Sequence, residues 1–183
     1  MNRILYSSAT DEWATPRSFF AKLHRRYKFT LDPCATSDNA CCPLYFTKAD
    51  DGLKQNWGTY RIFCNPPYGR TLGAWARKSF EASQRGALVV LLVPARTDTA
   101  WFHDWVWGKA KVEFIRRRVR FGNAEASAPF PSMLAVYLPE RAAMTCAGCG
   151  RGFVGRRDAR ACSNACRQSL YRNRYASAVT NAA

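Results

Sequence analysis

The chain has 183 residues, of which 48% are hydrophobic and 22% are charged, a composition that excludes a disordered protein and favours one modest globular domain with a small extra module. Its formal net charge of +15 predicts a polyanionic partner. No apolar run approaches the roughly 18 residues of a membrane-spanning helix, and residues 1–14 lack a signal-peptide core, so we expect a cytoplasmic protein.

The first predicted elements are a helix and a short strand that leads to a carboxylate. Thr15-Pro16 predicts an N-cap and a first helical residue, and the helix should extend to about Arg26. A strand over residues 28–31 then leads into Asp32-Pro33-Cys34-Ala35. A carboxylate at the carboxyl end of a strand in an α/β sheet lies where ligands bind, although such an aspartate is also a common turn former.

The next segment predicts loops rather than regular structure. Residues 36–50 are rich in Ser, Asp, Asn, Cys and Pro and predict an ordered loop, which ends in an acidic turn at Asp50-Asp51. The cysteines of this half of the chain show no repeated ligand spacing, and we interpret them as buried thiols: Cys34, Cys41, Cys42 and Cys64.

The stretch that carries chemistry is Asn65-Pro66-Pro67-Tyr68, which abruptly ends a β-branched and aromatic run over residues 60–64. Two prolines fix two φ angles and remove two N–H donors, so nearby carbonyls face outward. If the Asn65 side-chain oxygen and the Pro66 carbonyl accept both hydrogens of an aromatic amine, the nitrogen lone pair becomes available, while the Tyr68 ring stacks on the base. A structural proline-rich turn is the alternative.

The remaining elements of this part predict an α/β sheet. A helix should begin after Thr71 and end at Gly86, and residues 87–93 form the continuous apolar run of a buried central strand. Arg96 follows that strand at the same carboxyl edge as Asp32 and Asn65. A helix over residues 99–107, a strand over 112–115 and a final strand over 133–138, which could be an antiparallel edge, complete an α/β sandwich around a mostly parallel sheet.

The carboxyl-terminal segment predicts a separate metal-binding module. Cys146, Cys149, Cys162 and Cys166 form two pairs separated by twelve residues, a spacing typical of a four-thiolate Zn²⁺ site; four unligated thiols are the alternative. A helix should start near Asn164, with Cys166, Leu170 and Tyr171 toward the metal. Residues 141–183 hold eight arginines and one acid, Asp158, which predicts phosphate contact or a solvated basic face.

With these residues in place, the chain resembles the phage-type DNA N6-adenine methyltransferase (Dam) family over residues 10–139. The matching segments are Trp13-Ala14-Thr15-Pro16, Phe29 to Ala35, Asp51-Gly52-Leu53, Cys64 to Gly69, Leu92 to Thr99, Arg118 to Phe121 and Pro129 to Ser132. The resemblance implies a compact Rossmann-like sheet that binds S-adenosylmethionine. It further implies that Thr15 and Asp32 meet the methionine end, that Asp50 or Asp51 meets the adenine, and that Asn65 to Tyr68 hold the target base. The other expected cofactor-binding residues are Pro16, Pro33, Cys34, Ala35 and Asn65.

These observations predict S-adenosylmethionine-dependent methylation of N6 of a flipped adenine in double-stranded DNA within a host bacterial cell. We expect a catalytic domain over residues 1–140, a four-cysteine zinc module over 141–175 that resembles a treble-clef finger, and a flexible tail over 176–183. DNA contacts are assigned to arginines of both parts: Arg96, Arg118, Arg120, Arg167, Arg172 and Arg174.

Some questions stay open at the level of sequence. Only 18 residues separate Asp32 from Asp51, so no carboxylate for the cofactor ribose is identified, and Asp38 and Asn39 are guesses. His24 and His103 receive no catalytic role. The alternatives are a methyltransferase that acts on an RNA base or a protein glutamine amide, and a non-catalytic nucleic-acid-binding module.

Overall fold

Six strands form a single mixed sheet that carries the site. The computed structural model describes residues 13–122, 127–139, 141–156 and 159–180, and the chain divides into units Met1–Leu138 and Pro139–Ala183. The strands of the first unit are β1 Leu31–Asp32, β2 Leu44–Tyr45, β3 Arg61–Cys64, β4 Leu88–Pro94, β5 Lys111–Phe114 and β6 Ser132–Tyr137. Their order is β2-β1-β3-β4-β6-β5. The pairs from β2 to β4 are parallel, and β6 runs antiparallel to both neighbours, which confirms the predicted α/β class.

In the described part of the first unit, three helices accompany this sheet: α1 Arg17–Tyr27, α2 Leu72–Gln84 and α3 Ala100–Trp105. α1 buries Phe20 and Tyr27 and ends where Lys28 adopts a left-handed conformation. The predicted N-cap is wrong, because Pro16 occupies that position without a side-chain cap bond. Thr71 and Gly86 flank α2 as predicted.

The sheet corrects three strand predictions. β1 begins at Leu31 rather than Lys28, because Lys28 has a φ of 53° that ends α1 and pairing with β3 starts at Leu31. β2 lies inside the predicted loop, and its two residues are too few to produce an alternating pattern. β6 is an interior strand with every residue buried, whereas β5 forms the edge; the apolar run over residues 133–137 suits a position covered on both faces.

The core of the first unit surrounds β4 and β6. All seven residues of β4 and all six of β6 are buried, as the continuous apolar run predicts for a central strand. Trp75 and Ala76 of α2 and Phe20 of α1 pack into this core. It leaves the carboxyl ends of β1, β3 and β4 as the edge on which polar residues are displayed.

The described residues of the second unit form a hairpin and a helix. β7 Arg141–Thr145 pairs with β8 Gly152–Arg156, and α4 spans Asn164–Thr180. α4 begins where the sequence predicts and continues into the segment predicted as a tail. Of the residues predicted to face the metal, Cys166 joins the cysteine cluster, Leu170 is half-buried and Tyr171 is 62% exposed; packing of Tyr171 toward the metal stays a prediction. Within the described ranges, every helix falls short of the length and apolar character that crossing a bilayer requires.

Candidate active site

A cavity of about 680 Å³ opens at the carboxyl ends of β1, β2 and β3. Its volume lies in the ordinary range of small-molecule sites. Predicted site residues line much of it: Thr15, Asp32, Pro33, Cys34, Ala35, Asp51, Asn65 and Pro67. The lining also includes Trp13, Thr47, Lys48, Gly52 and Trp75, whereas four predicted residues do not line it: Pro16, Asp50, Pro66 and Tyr68.

Asp32 supplies a buried carboxylate to this cavity. Its side chain is 4% exposed and accepts hydrogen bonds from the backbone N–H groups of Cys34 at 3.4 Å and Cys41 at 3.1 Å. Burial raises the pKa of Asp32 to about 6, although these two hydrogen bonds and the nearby Arg17 oppose the rise. The group is therefore mainly ionised at pH 7 and can accept from an ammonium.

The acidic turn after β2 separates the two candidate aspartates. Asp50 accepts from the backbone N–H and hydroxyl of Thr47 at 2.8 and 2.7 Å and closes the turn locally. Asp51 lines the cavity and forms an exposed ion pair with Lys54 at 3.0 Å. Of the two, only Asp51 is placed to contact a bound molecule.

Gly52 brings the acidic turn against the segment after β1. A Cβ at this position would lie 1.9 Å from the carbonyl oxygen of Pro33, which no side chain can occupy without a backbone shift. The carbonyl of Gly52 also accepts from the buried indole N–H of Trp57 at 2.8 Å. The turn that carries Asp51 is thus fixed beside Asp32.

The Asn65 side chain is held by three partners at the edge of the cavity. Its Nδ2 group donates to the backbone oxygen of Trp13 and to the hydroxyl of Thr15 at 2.9 Å. Its Oδ1 atom accepts from the Tyr68 hydroxyl at 2.7 Å. Both amide hydrogens are occupied and one lone pair of Oδ1 remains, so the orientation of the amide is fixed before a substrate arrives.

Tyr68 lies in an aromatic cluster rather than on the cavity wall. Its ring is 6% exposed and lies 6.4 Å from Trp13, 6.0 Å from Phe121 and 5.6 Å from Phe130. Burial raises the pKa of Tyr68 well above its ordinary value, so the hydroxyl stays protonated and donates. Trp13 is half-buried and is the member of this cluster that lines the cavity.

Sequence comparison places the chain that forms this site in a known family. A family model described as "DNA N-6-adenine-methyltransferase (Dam)" matches residues 4–136. The chain belongs to the Dam family. It is 33% identical over 107 residues to the DNA N-6-adenine-methyltransferase of Escherichia phage T1, a match that covers 57% of this chain and 44% of the phage protein. The chain therefore spans less than half the length of that relative.

A second relative comes from a bacterium. The protein YfdM of Escherichia coli (strain K12), provisionally named a methyltransferase, is 34% identical over 65 residues, which covers 32% of this chain and 71% of that protein. The Dam family match ends before the second unit begins. The cysteine cluster is therefore an addition to the part that defines the family.

Trp13 and Lys48 line the cavity of this Dam-family chain, although the sequence alone assigned a role to neither. Trp13 belongs to the segment Trp13-Ala14-Thr15-Pro16, which resembles the family, and this was the sequence feature that could have identified Trp13 as a site residue. Lys48 follows β2, a strand that the sequence pattern did not predict. Thr15 was expected to meet the cofactor directly, and the structure places its hydroxyl against Asn65 while it also lines the cavity.

The buried-thiol interpretation of the four first-unit cysteines holds in part. Cys42 and Cys64 are buried, while Cys34 and Cys41 are half-buried and line the cavity. The sulfur atoms of Cys34 and Cys64 lie 3.7 Å apart, and burial raises the pKa of both thiols. These groups are protonated and suit packing rather than nucleophilic chemistry.

The predicted DNA-binding arginines of the first unit do not line the cavity. Arg96, Arg118 and Arg120 are exposed in the first unit, and Arg167 and Arg172 are exposed on α4. Arg118 and Arg120 alternate with the buried residues Val119 and Phe121, so the extended segment presents both cations outward. Arg174 belongs to α4, but its side chain lies outside the described residues.

The second unit brings its four cysteines into one cluster. The sulfur atoms of Cys146, Cys149, Cys162 and Cys166 all lie within 4.8 Å of one another, an arrangement that could hold a metal ion. The Cys149–Cys162 and Cys162–Cys166 sulfur distances are both 3.6 Å, close to the ~3.8 Å edge of a tetrahedron with Zn–S bonds of about 2.3 Å. The backbone N–H of Cys162 donates to the Cys146 sulfur at 3.3 Å, which helps lower the pKa of Cys146 to about 6.

Proposed function

We propose that this chain transfers a methyl group from S-adenosylmethionine to N6 of a flipped adenine in double-stranded DNA. The observation that carries the proposal is the fixed Asn65 amide, which lies on the same cavity as the buried Asp32 carboxylate. Membership of the Dam family and the net charge of +15 support the same reaction and substrate.

The cavity offers suitable groups for both ends of S-adenosylmethionine, which when bound supplies the electrophilic methyl group. Asp32 accepts from the ammonium of the methionine end, and Pro33 to Ala35 leave room for close approach. Asp51 accepts a hydrogen bond from the amino group of the adenine end. The contact between Gly52 and Pro33 holds Asp51 in place. Lys48 lines the same cavity and is the cation available to the methionine carboxylate or the ribose hydroxyls.

Asn65 and Pro66 act on the target amine. The free lone pair of Asn65 Oδ1 and the Pro66 carbonyl accept the two hydrogens of the exocyclic amine, which frees the nitrogen lone pair for in-line attack on the methyl carbon. When the C–N bond forms, the S–C bond breaks and its electron pair would stay on the sulfur as a neutral thioether. The nitrogen would then be positively charged, and its acidic proton would be released to water. No strong base is required before attack, so the proposal assigns no catalytic role to His24 or His103.

The aromatic partner of the base differs from the one that the sequence predicts. Tyr68 is enclosed by Trp13, Phe121 and Phe130, and its hydroxyl positions Asn65. Trp13 offers the ring that borders the cavity, so we assign base stacking to Trp13 and positioning of the amide to Tyr68.

The second unit adds a structural metal site and basic surface. Its four sulfurs would hold Zn²⁺, which gives a hairpin and helix with few aliphatic residues the core that they lack. Arg167 and Arg172 on α4 contact DNA phosphates in this proposal, and Arg174 remains a predicted third contact.

The test is methylation of DNA by the full-length chain and by Asn65→Ala. DNA from cells that express the wild-type chain should contain N6-methyladenine, detected by mass spectrometry of nucleosides. Loss of one preorganised acceptor should lower turnover by about 10²–10³, while the affinity for S-adenosylmethionine measured by calorimetry stays nearly unchanged. Labelled methyl in RNA or protein, with none in DNA, would refute the proposed substrate.

A further inference from the structure

A second, apolar groove lies on the first unit away from the cofactor cavity. It encloses about 270 Å³ and is lined by Thr97, Phe102, His103, Trp107, Val112 and Phe114. Trp107 is 67% exposed and Phe114 is 69% exposed, whereas Phe102 at the base of the groove is 3% exposed. Exposed aromatic side chains around a cavity mark an interaction surface, because water solvates them poorly.

The groove is built from one face of the edge strand β5. Val112 and Phe114 share that face by the two-residue alternation of a strand. Glu113 points to the other face, where it pairs with Arg26 at 3.1 Å and Lys111 at 2.9 Å. Phe102 and His103 of α3 close the groove from the opposite side, so its walls are aromatic and its polar groups are a hydroxyl and an imidazole.

Sheet register places this groove beside the methyl-transfer site. β5 and β4 are both antiparallel to β6, so β5 runs parallel to β4 and β3. Phe114 and Val93 both pair with Met133, so these two residues lie at the same level of the sheet. Cys64 pairs with Leu91, which places the next residue, Asn65, at the level of Leu92. Phe114 therefore lies about one residue beyond the level of Asn65. Three strand spacings separate β5 from β3, or about 14 Å.

The charges around the groove favour a polyanion. Residues 94–120 contain seven Lys and Arg residues and three acids, a net charge of +4. Arg96 precedes the groove residue Thr97, and Arg116 to Arg118 follow Phe114; all four arginines are exposed. One of the three acids, Glu113, is already paired with two cations. Aromatic rings flanked by exposed arginines are the arrangement that binds unstacked bases and their phosphates.

We propose that this groove holds a second unpaired nucleobase of the bound DNA and so contributes to sequence selection. The inference rests on the proposed DNA substrate. A separation of about 14 Å corresponds to roughly four base steps at 3.4 Å per step, so the base belongs to the immediate neighbourhood of the methylated adenine. The base stacks against Trp107 and Phe114, and Thr97 and His103 are available to its polar edge.

The experiment compares the full-length wild type with the double variant Trp107→Ala/Phe114→Ala. Tyr60→Ala is the matched control, because Tyr60 is a 42% exposed aromatic residue that precedes β3. It therefore lies at the amino ends of the parallel strands, whereas Phe114 lies at the carboxyl end of β5. The probes are duplexes containing the methylated sequence, each with a single abasic site within four positions of the target adenine. Affinity is measured by fluorescence anisotropy over a range of salt concentrations.

We expect the double variant to bind the intact duplex about five- to 150-fold more weakly, which is the loss of affinity expected when one base loses its stacking contact. The salt slope of DNA binding and the affinity for S-adenosylmethionine should not change. One abasic position should weaken binding by the wild type and leave the double variant unaffected. Affinity equal to that of Tyr60→Ala, or the same abasic profile in both proteins, would overturn the proposal.

Two further outcomes have distinct meanings. A change from dimer to monomer in the double variant, measured by light scattering, would assign the groove to self-association and overturn the nucleobase proposal. If the wild type neither binds nor methylates the intact duplex, the proposed function itself fails, and this result is obtained before any variant is compared. The single variants Trp107→Ala and Phe114→Ala repeat the test if the double variant has a lowered melting temperature.

Discussion

Asn65 illustrates how one side chain depends on neighbours that are remote in sequence. Its amide nitrogen contacts Trp13 and Thr15, 52 and 50 residues away, and its oxygen contacts Tyr68. An asparagine amide reverses its oxygen and nitrogen by a rotation, so these partners decide which atom faces the target amine. The reactivity proposed for Asn65 is therefore set by the segment before α1 as much as by the turn itself.

Thr15→Val tests this dependence. The variant keeps the side-chain shape but removes the acceptor at 2.9 Å from Asn65 Nδ2, so the amide loses one of the contacts that orient it. We expect turnover to fall about two- to tenfold, since one hydrogen bond contributes roughly 0.5–1.5 kcal/mol, with little change in cofactor affinity. Single-turnover kinetics and calorimetry measure the two quantities separately.

Thr15→Ser is the control for that experiment, because it retains the hydroxyl. It should restore most of the activity. If Thr15→Val weakened cofactor binding without slowing turnover, Thr15 would contact the methionine end directly, as the family resemblance implies.

Asp32 predicts a pH dependence of cofactor binding. Burial raises its pKa to about 6 in the free chain, and an ammonium is attracted to the ionised form. Affinity for S-adenosylmethionine should thus be highest near pH 7 and fall as pH decreases through 6, approaching tenfold per pH unit. Calorimetry from pH 5 to 8 measures the profile, with circular dichroism as a check that the chain stays folded.

Asp32→Asn separates this cause from general acid sensitivity. The variant should bind the cofactor roughly tenfold or more weakly at pH 7, since a charge-assisted hydrogen bond is lost, and its affinity should not vary over the same range. A wild-type profile that survives in Asp32→Asn would assign the titration to another group.

At the scale of elements, the site depends on a close contact between two loops. The acidic turn after β2 reaches the segment after β1 through Gly52, where a Cβ would lie 1.9 Å from the Pro33 oxygen. We expect Gly52→Ala to lower the free energy of unfolding by at least 1–3 kcal/mol, the cost of overpacking against backbone, and to weaken cofactor binding because Asp51 moves. Urea unfolding and calorimetry test both effects.

Gly152→Ala provides the comparison for that substitution. A Cβ added at Gly152 would have no neighbouring atom within 4 Å. The change should therefore leave the unfolding of the first unit and cofactor binding unaltered. Equal stability of Gly52→Ala and the wild type would mean that the two loops separate freely and that Gly52 does not fix Asp51.

At the scale of the whole molecule, we propose that the first unit performs the methyl transfer and that the second unit provides affinity for DNA. The six-stranded sheet and the cavity lie entirely within residues 13–138, so a chain that ends at Glu140 should fold and bind S-adenosylmethionine. It should lose DNA affinity. If three of the arginines of the second unit contact phosphates, the slope of log affinity against log salt should become shallower by about 3.

Metal removal from the intact chain gives an independent version of that experiment. Chelation, or Cys162→Ser, should approach the truncated result, because α4 loses the centre that holds it against the hairpin. Zinc content is measured by atomic emission in parallel. Full DNA affinity and an unchanged salt slope after truncation would point to another role for the second unit, such as contact with a protein partner.

Much of this architecture followed from local sequence signals. Apolar periodicity located α1 and α2, the continuous apolar run located β4, and the cysteine spacing anticipated the four-sulfur cluster. These signals are strong because they reflect burial or ligation of the residues that produce them. Asn65 and Asp32 were recognised because both follow or end strands of a sheet whose carboxyl edge is where ligands bind.

The remaining features were decided only by tertiary structure. The two-residue β2 has no readable pattern of its own and exists because the buried β1 offers it a partner. Pairing partners alone place β6 inside the sheet and β5 at its edge, which brings Phe114 and Trp107 into one groove near the level of Asn65. The sequence by itself identified Asp32 and Asn65 as candidates for the proposed chemistry. The contacts of Asn65 with Thr15 and Trp13 appear only in the tertiary structure, because hydrogen-bond partners 50 residues apart leave no periodic trace in the chain.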